Sequence, residues 1–171
     1  MMNNRENSSS RFSTWLFLIT FSLIFYGMGA SFVESFVNYP TWKLIGSAEF
    51  RAFHQTLGPL IVGFMVIPLI IATVLTILLL WFRPVSIPPW MLWLSLALQI
   101  VVWISTALFQ LPIQFELSNT GLSIDAVDQL IYTNLWFRRV PALLNNVLFL
   151  WMMSRLLRTH YSEDADASHR T

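Results

Sequence analysis

Four stretches of this chain stay apolar for about the thickness of a lipid bilayer, and nothing else in the sequence constrains its fold as strongly. They are Trp15–Val37, Gly58–Phe82, Pro89–Leu111 and Val140–Leu157, and a helix needs roughly 20 residues to cross hydrocarbon. In lipid each backbone N–H and C=O must find its partner within the protein, which a helix provides by itself. The sequence therefore predicts an all-α protein, a four-helix transmembrane bundle with two longer extracytoplasmic connections. The bundle is expected over residues 13–159, between disordered tails at 1–12 and 160–171. Hydrophobic residues at 56% against 11% charged, and a mean hydropathy of +0.60, support lipid as the solvent for most of the surface.

The same composition removes several classes of function. Without cysteine there are no disulfides, thiolate metal sites or cysteine nucleophiles. A net charge of +1 and a single lysine, Lys43, give no basic patch for nucleic acid. His54 is the one histidine outside the C-terminal tail, and with Glu34 and Glu116 it makes only a loose oxygen-rich set. No metal and no cofactor is expected from that spacing.

The first apolar stretch is too long for the core of a secretory signal, so it reads as a retained helix. Between the second and third stretches, Pro84, Pro88 and Pro89 end one helix and begin the next, because proline suits a first helical turn and not an interior. The connections on the other side, residues 38–57 and 112–139, are much longer. A lead-in from Ser123 places Ile124, Val127, Leu130 and Ile131 on one helical face and Asp125 and Asp128 on the other. No internal repeat stands out. Six arginines lie with the termini and the proline-rich connection (Arg5, Arg11, Arg83, Arg155, Arg158, Arg170), against Lys43, Arg51, Arg138 and Arg139 on the other side. That asymmetry predicts cytoplasmic termini in a cell membrane.

Polar residues within the apolar stretches fall on helical stripes. Gly27, Ser31, Glu34 and Asn38 form one; Gln99, Trp103, Thr106 and Gln110 form another. His54, Gly58 and Met65 share a face, as do Asn134, Arg138 and Asn145. Intramembrane polar groups face a bundle interior or a wet cavity, so Glu34, Asn38, His54, Trp103, Gln110, Gln114, Asn134, Arg138 and Arg139 are candidates for one pocket. Two readings remain open. In one, the amides are interhelical hydrogen-bonding residues and Glu34 pairs with His54 or Arg138. In the other, His54 is a general base, Glu34 orients it, and Arg138 stabilises a developing anion. The tryptophans Trp15, Trp42, Trp81, Trp90 and Trp136 read as an aromatic belt.

Three segments, YPTWKLIGSAEFRAFH at 39–54, STALFQLPIQ at 105–114 and LIYTNLWFRR at 130–139, together resemble a group of small bacterial four-helix membrane proteins. More distantly, they resemble the anthrone oxygenase-like family. In that family a Pro and Asn segment follows the third helix, and a Trp, Asn and Arg cluster precedes the fourth. Pro112 with Gln114, and Asn134, Trp136 and Arg138, are the nearest matches, Gln114 standing where asparagine is usual. The resemblance implies the bacterial inner membrane and oxygenation of a polycyclic phenolic substrate without metal or flavin. A small apolar or aromatic ligand reaching the pocket from the bilayer is the expectation; the alternative is a non-enzymatic lipid-binding or membrane-complex assembly protein.

Overall fold

The computed structural model describes residues 2–168, with side chains over 11–159. The tails expected to be disordered, 1–12 and 160–171, fall outside the residues described in full, apart from Arg11 and Phe12. Four helices are long and apolar enough to cross a membrane: α1 (Arg11–Trp42), α2 (Ser47–Leu79), α3 (Pro89–Thr120) and α4 (Ile124–Thr159). They pack as an antiparallel ring in which α1 meets α2 and α4, and α3 meets α2 and α4.

The expected long connections are a correction. Residues 38–57 and 112–139 are helical almost throughout, and the true links are only 43–46 and 121–123, against 80–88 on the other side. At 1.5 Å per residue a helix of 32 residues is about 48 Å long, well beyond the ~30 Å hydrocarbon core. Each helix is therefore about three turns longer than a hydrocarbon core requires. The tight link 121–123 depends on Gly121, whose φ of 93° is one that side-chain-bearing residues seldom adopt, while its N–H closes on the Leu117 carbonyl at 3.2 Å. Ser123 then caps α4, accepting from the Ala126 N–H at 3.3 Å.

Every helix is interrupted once by a single wide π-helical turn, at Glu34–Asn38, Val62–Val66, Thr106–Gln110 and Leu135–Arg139. In each case the residue after the turn donates its N–H five residues back: Tyr39 to Glu34, Ile67 to Val62, Leu111 to Thr106 and Val140 to Leu135. The next residue is always proline: Pro40, Pro68, Pro112 and Pro141. Proline has no N–H to give and its ring collides with the carbonyl four residues back. Widening the preceding turn relieves that collision without ending the helix. This once-per-helix pattern is an internal repeat, and it corrects the reading that none exists.

Two apolar cores lie at opposite ends of the bundle. One gathers Phe17, Ile24, Ala72, Leu79, Met91, Leu92, Phe149 and Met152, with Phe17 stacked on Phe149 at 5.9 Å. The other gathers Tyr39, Trp42, Phe50, Ile113, Leu117, Val127 and Leu130. Of the predicted lead-in face, Val127 and Leu130 are fully buried, whereas Ile124 is exposed. Asp128, on the opposite face, makes an ion pair with Lys43 that ties the end of α1 to the start of α4. Between the cores lies a buried polar layer that includes Ser31, Glu34, Ser35, Gln99, Gln110, Asn134, Arg138, Arg139, Asn145 and Asn146. Lipid offers helices no hydrophobic incentive to associate, so hydrogen bonds across this layer and close packing hold them together.

Candidate functional site

The polar layer is built outward from Asn134, buried at 1% exposure. Its amide donates to Ser35 Oγ at 2.7 Å, and Ser35 donates to the Ser31 carbonyl at 2.7 Å. Asn134 Oδ1 in turn accepts from Arg139 Nη2 at 3.4 Å. On neighbouring turns Gln99 bonds Thr76 and Ser95, each at 3.1 Å, Ser95 bonds Asn145 at 2.7 Å, and Gln110 bonds Thr133 at 3.0 Å. All four helices are joined by these bonds or by the electrostatic field of the buried charges.

A cavity of about 300 Å³ adjoins this layer, and its walls bring together Glu34, His54, Gln110, Gln114 and Arg138 of the predicted set. The floor is polar and buried. The rim, Gly58 and Val62 on α2 with Leu111 and Phe115 on α3, is apolar and exposed, so the cavity opens sideways between those helices. Glu34 Oε2 accepts from Asn38 Nδ2 at 2.6 Å, and its carboxylate lies in the field of Arg138 and then Arg139. Tyr39 packs on this group with its hydroxyl against Arg138.

His54 makes different contacts from those the sequence suggested. One ring nitrogen, Nε2, pairs with Gln114 Oε1 at 2.7 Å and the other, Nδ1, with Ser118 Oγ at 2.9 Å. The ring is stacked on Phe50 at 5.6 Å and meets the edge of Trp42 at 5.1 Å. Glu34 and His54 thus share a cavity while bonding to separate partners. Both histidine nitrogens are already engaged by neutral side chains.

A second, smaller cavity of about 60 Å³ lies deeper, and Arg138 lines both. Trp103 and Arg139 of the predicted set are here, along with Gln99 and Asn146; Trp103 Nε1 donates to Thr73 Oγ1 at 3.1 Å. Asn38 and Asn134 line neither cavity and act through Glu34, Ser35 and Arg139.

Sequence reasoning missed Tyr39, Trp42 and Ser118 as wall residues. Trp42 was assigned to an interfacial belt, yet only 2% of it is exposed, because α1 continues through it instead of ending at Val37. Trp15, Trp81, Trp90 and Trp136 do lie exposed on the outside of the bundle.

Nine buried side-chain polar atoms among the described residues have no hydrogen-bond partner, and seven of them belong to residues lining the two cavities. Trp42 Nε1, Gln110 Oε1 and Arg138 Nε surround the larger; Gln99 Oε1, Asn146 Oδ1, and Arg139 Nε and Nη1 surround the smaller. Buried polar atoms are normally satisfied, so this concentration marks where an occupant's polar atoms would be received. Among the described residues no three His, Cys, Asp or Glu side chains converge as a metal site would require. No protein family, curated protein or solved structure matches this chain.

Proposed function

We propose that this multi-pass membrane protein binds an apolar or aromatic small molecule that enters sideways from the bilayer. The observation carrying this reading is the larger cavity: an apolar mouth between α2 and α3 leads to a floor where Trp42 Nε1, Gln110 Oε1 and Arg138 Nε lack partners. A mostly apolar pocket with a few convergent polar groups is the usual form of a small-molecule site. Its volume of about 300 Å³ suits a compact ligand.

Binding is favoured over chemistry by His54, whose two nitrogens would have to give up Gln114 or Ser118 before moving a substrate proton. Transformation of the ligand, as the anthrone oxygenase-like resemblance suggests, is the second reading. It draws on Glu34, a carboxylate in the cavity wall beside Arg138 that would serve as the proton acceptor in place of His54. We assign the protein to a bacterial inner membrane with both termini cytoplasmic and the Lys43 and Gly121 links outside, on the arginine asymmetry described above.

The test uses Gly58. A Cβ built there meets nothing within 4 Å, so Gly58→Phe fills the mouth of the cavity without displacing a neighbour at the backbone. Small molecules released by solvent from the purified full-length protein are identified by mass spectrometry. Wild type should yield an apolar or aromatic compound enriched over bulk lipid, and Gly58→Phe should retain much less of it. If wild type carries nothing beyond the surrounding lipid and no added aromatic compound raises its Tm, the reading fails.

A further inference from the structure

The polar layer is short of one negative charge. Its formal charges are Glu34 on one side and Arg138 with Arg139 on the other, the two arginines being only 6% exposed each. The one ion pair within 4.0 Å among the described residues, Lys43 with Asp128, is at the end of the bundle. Glu34 has committed one oxygen to Asn38, and its field falls first on Arg138. Arg139 is left with a single long hydrogen bond, to Asn134 at 3.4 Å, and both its Nε and Nη1 are buried without a partner. Uncompensated charge inside a membrane protein is strongly unfavourable, so a missing anion is the simplest completion of this layer.

Geometry indicates where that anion sits and what it belongs to. Consecutive residues of an α-helix point about 100° apart, yet the wide turn Leu135–Arg139 lets both arginines bury inward. Arg138 lines both cavities, while Arg139 lines only the smaller, whose lining contains no carboxylate. At about 60 Å³ that space takes a head group or a few waters and no larger body. The unpaired Gln99 and Asn146 carbonyls on its walls would be satisfied by water accompanying the anion. Guanidinium forks match planar or tetrahedral oxyanions.

We infer that the ligand held in the larger cavity is an anionic amphiphile, its carboxylate or phosphate received by Arg138 and Arg139 and its apolar body lying toward α2 and α3. This rests on the binding reading above and adds the chemistry of the ligand's head.

Purified full-length protein in an uncharged detergent is titrated with ω-bromoundecanoic acid and, separately, with ω-bromoundecanol, and quenching of tryptophan fluorescence is followed, Trp42 being a cavity wall. The acid should bind roughly tenfold more tightly than the alcohol, and Arg139→Gln should bring the ratio of the two affinities down toward one. Competition by dodecyl phosphate separates the sources: displacement below the acid's own concentration identifies a lipid-type phosphate head, and weak displacement a free carboxylate. Equal binding of acid and alcohol by wild type overturns the anionic assignment and leaves the binding reading standing. Absence of saturable quenching by either overturns both. Should Arg139→Gln not fold, the comparison of acid with alcohol in wild type still decides.

Discussion

The Tyr26 hydroxyl donates at 2.8 Å to the Phe64 carbonyl, the oxygen that would have received the N–H of residue 68 had that residue not been Pro68. The bond satisfies on α1 a group left open on α2. Tyr26→Phe should therefore cost about 0.5–1.5 kcal/mol. The check is a double-mutant cycle by thermal unfolding in detergent. Pro68→Ala restores an N–H that can claim the Phe64 carbonyl, so in that background the cost of Tyr26→Phe should shrink. Strictly additive costs would mean that the hydroxyl does not compensate for the proline.

Glu34→Gln keeps the bond to Asn38 but removes the only carboxylate in the polar layer, leaving Arg138 and Arg139 without an anionic neighbour. Loss of one partner from a buried charged group costs on the order of 3 kcal/mol. Lower yield and a lower Tm of the purified protein are expected. An unchanged Tm for this variant would transfer Glu34 from holding the bundle to serving a reaction.

By contrast, the ion pair between Lys43 and Asp128 is solvent-accessible, with side chains 31% and 57% exposed. Such pairs contribute under about 1 kcal/mol. Lys43→Ala should leave the Tm nearly unchanged, and raising the salt concentration should make wild type and variant indistinguishable. A large, salt-independent loss would show that Lys43 acts by packing on the apolar core beside it.

Membrane orientation can be read with cysteine labelling, since the chain has no cysteine of its own. A cysteine placed at Lys43 or at Asn119 should react with an impermeant maleimide added to intact cells, whereas one at Ser86 should react only after permeabilisation. The reverse pattern would invert the bundle in the membrane.

The polar seams were legible in the sequence because they obey helical spacing: Ser31 with Glu34, and Gln99 with Gln110, are indeed buried. Helix length was not legible. Pro40 and Pro112 were read as lying in connections, and Pro141 as falling in the first turn of the fourth apolar stretch. Seen together with Pro68, they follow one pattern, a Phe or Leu four residues before each proline (Phe36, Phe64, Leu108, Phe137). The signal was present as a repeat and was missed by reading each proline singly. That error also placed Trp42 at an interface, because a helix that stops at Val37 has no interior left for it. Nor could spacing pair His54 with Gln114 and Ser118, which lie 60 and 64 residues away on a different helix.

The wide turn before each of these prolines also governs where the chain can change length. A π-helical turn is an α-helix that has absorbed one additional residue. Removing a residue elsewhere in a helix would swing everything beyond it by about 100°, carrying a buried seam out toward lipid and a lipid-facing row into the interior. Removing one from within 34–38, 62–66, 106–110 or 135–139 would instead close the turn toward ordinary pitch and leave both halves of the helix facing as before, with the collision of the following proline as the remaining cost. Single-residue deletions should thus be tolerated best at these four positions, and in 135–139 only where both arginines are retained.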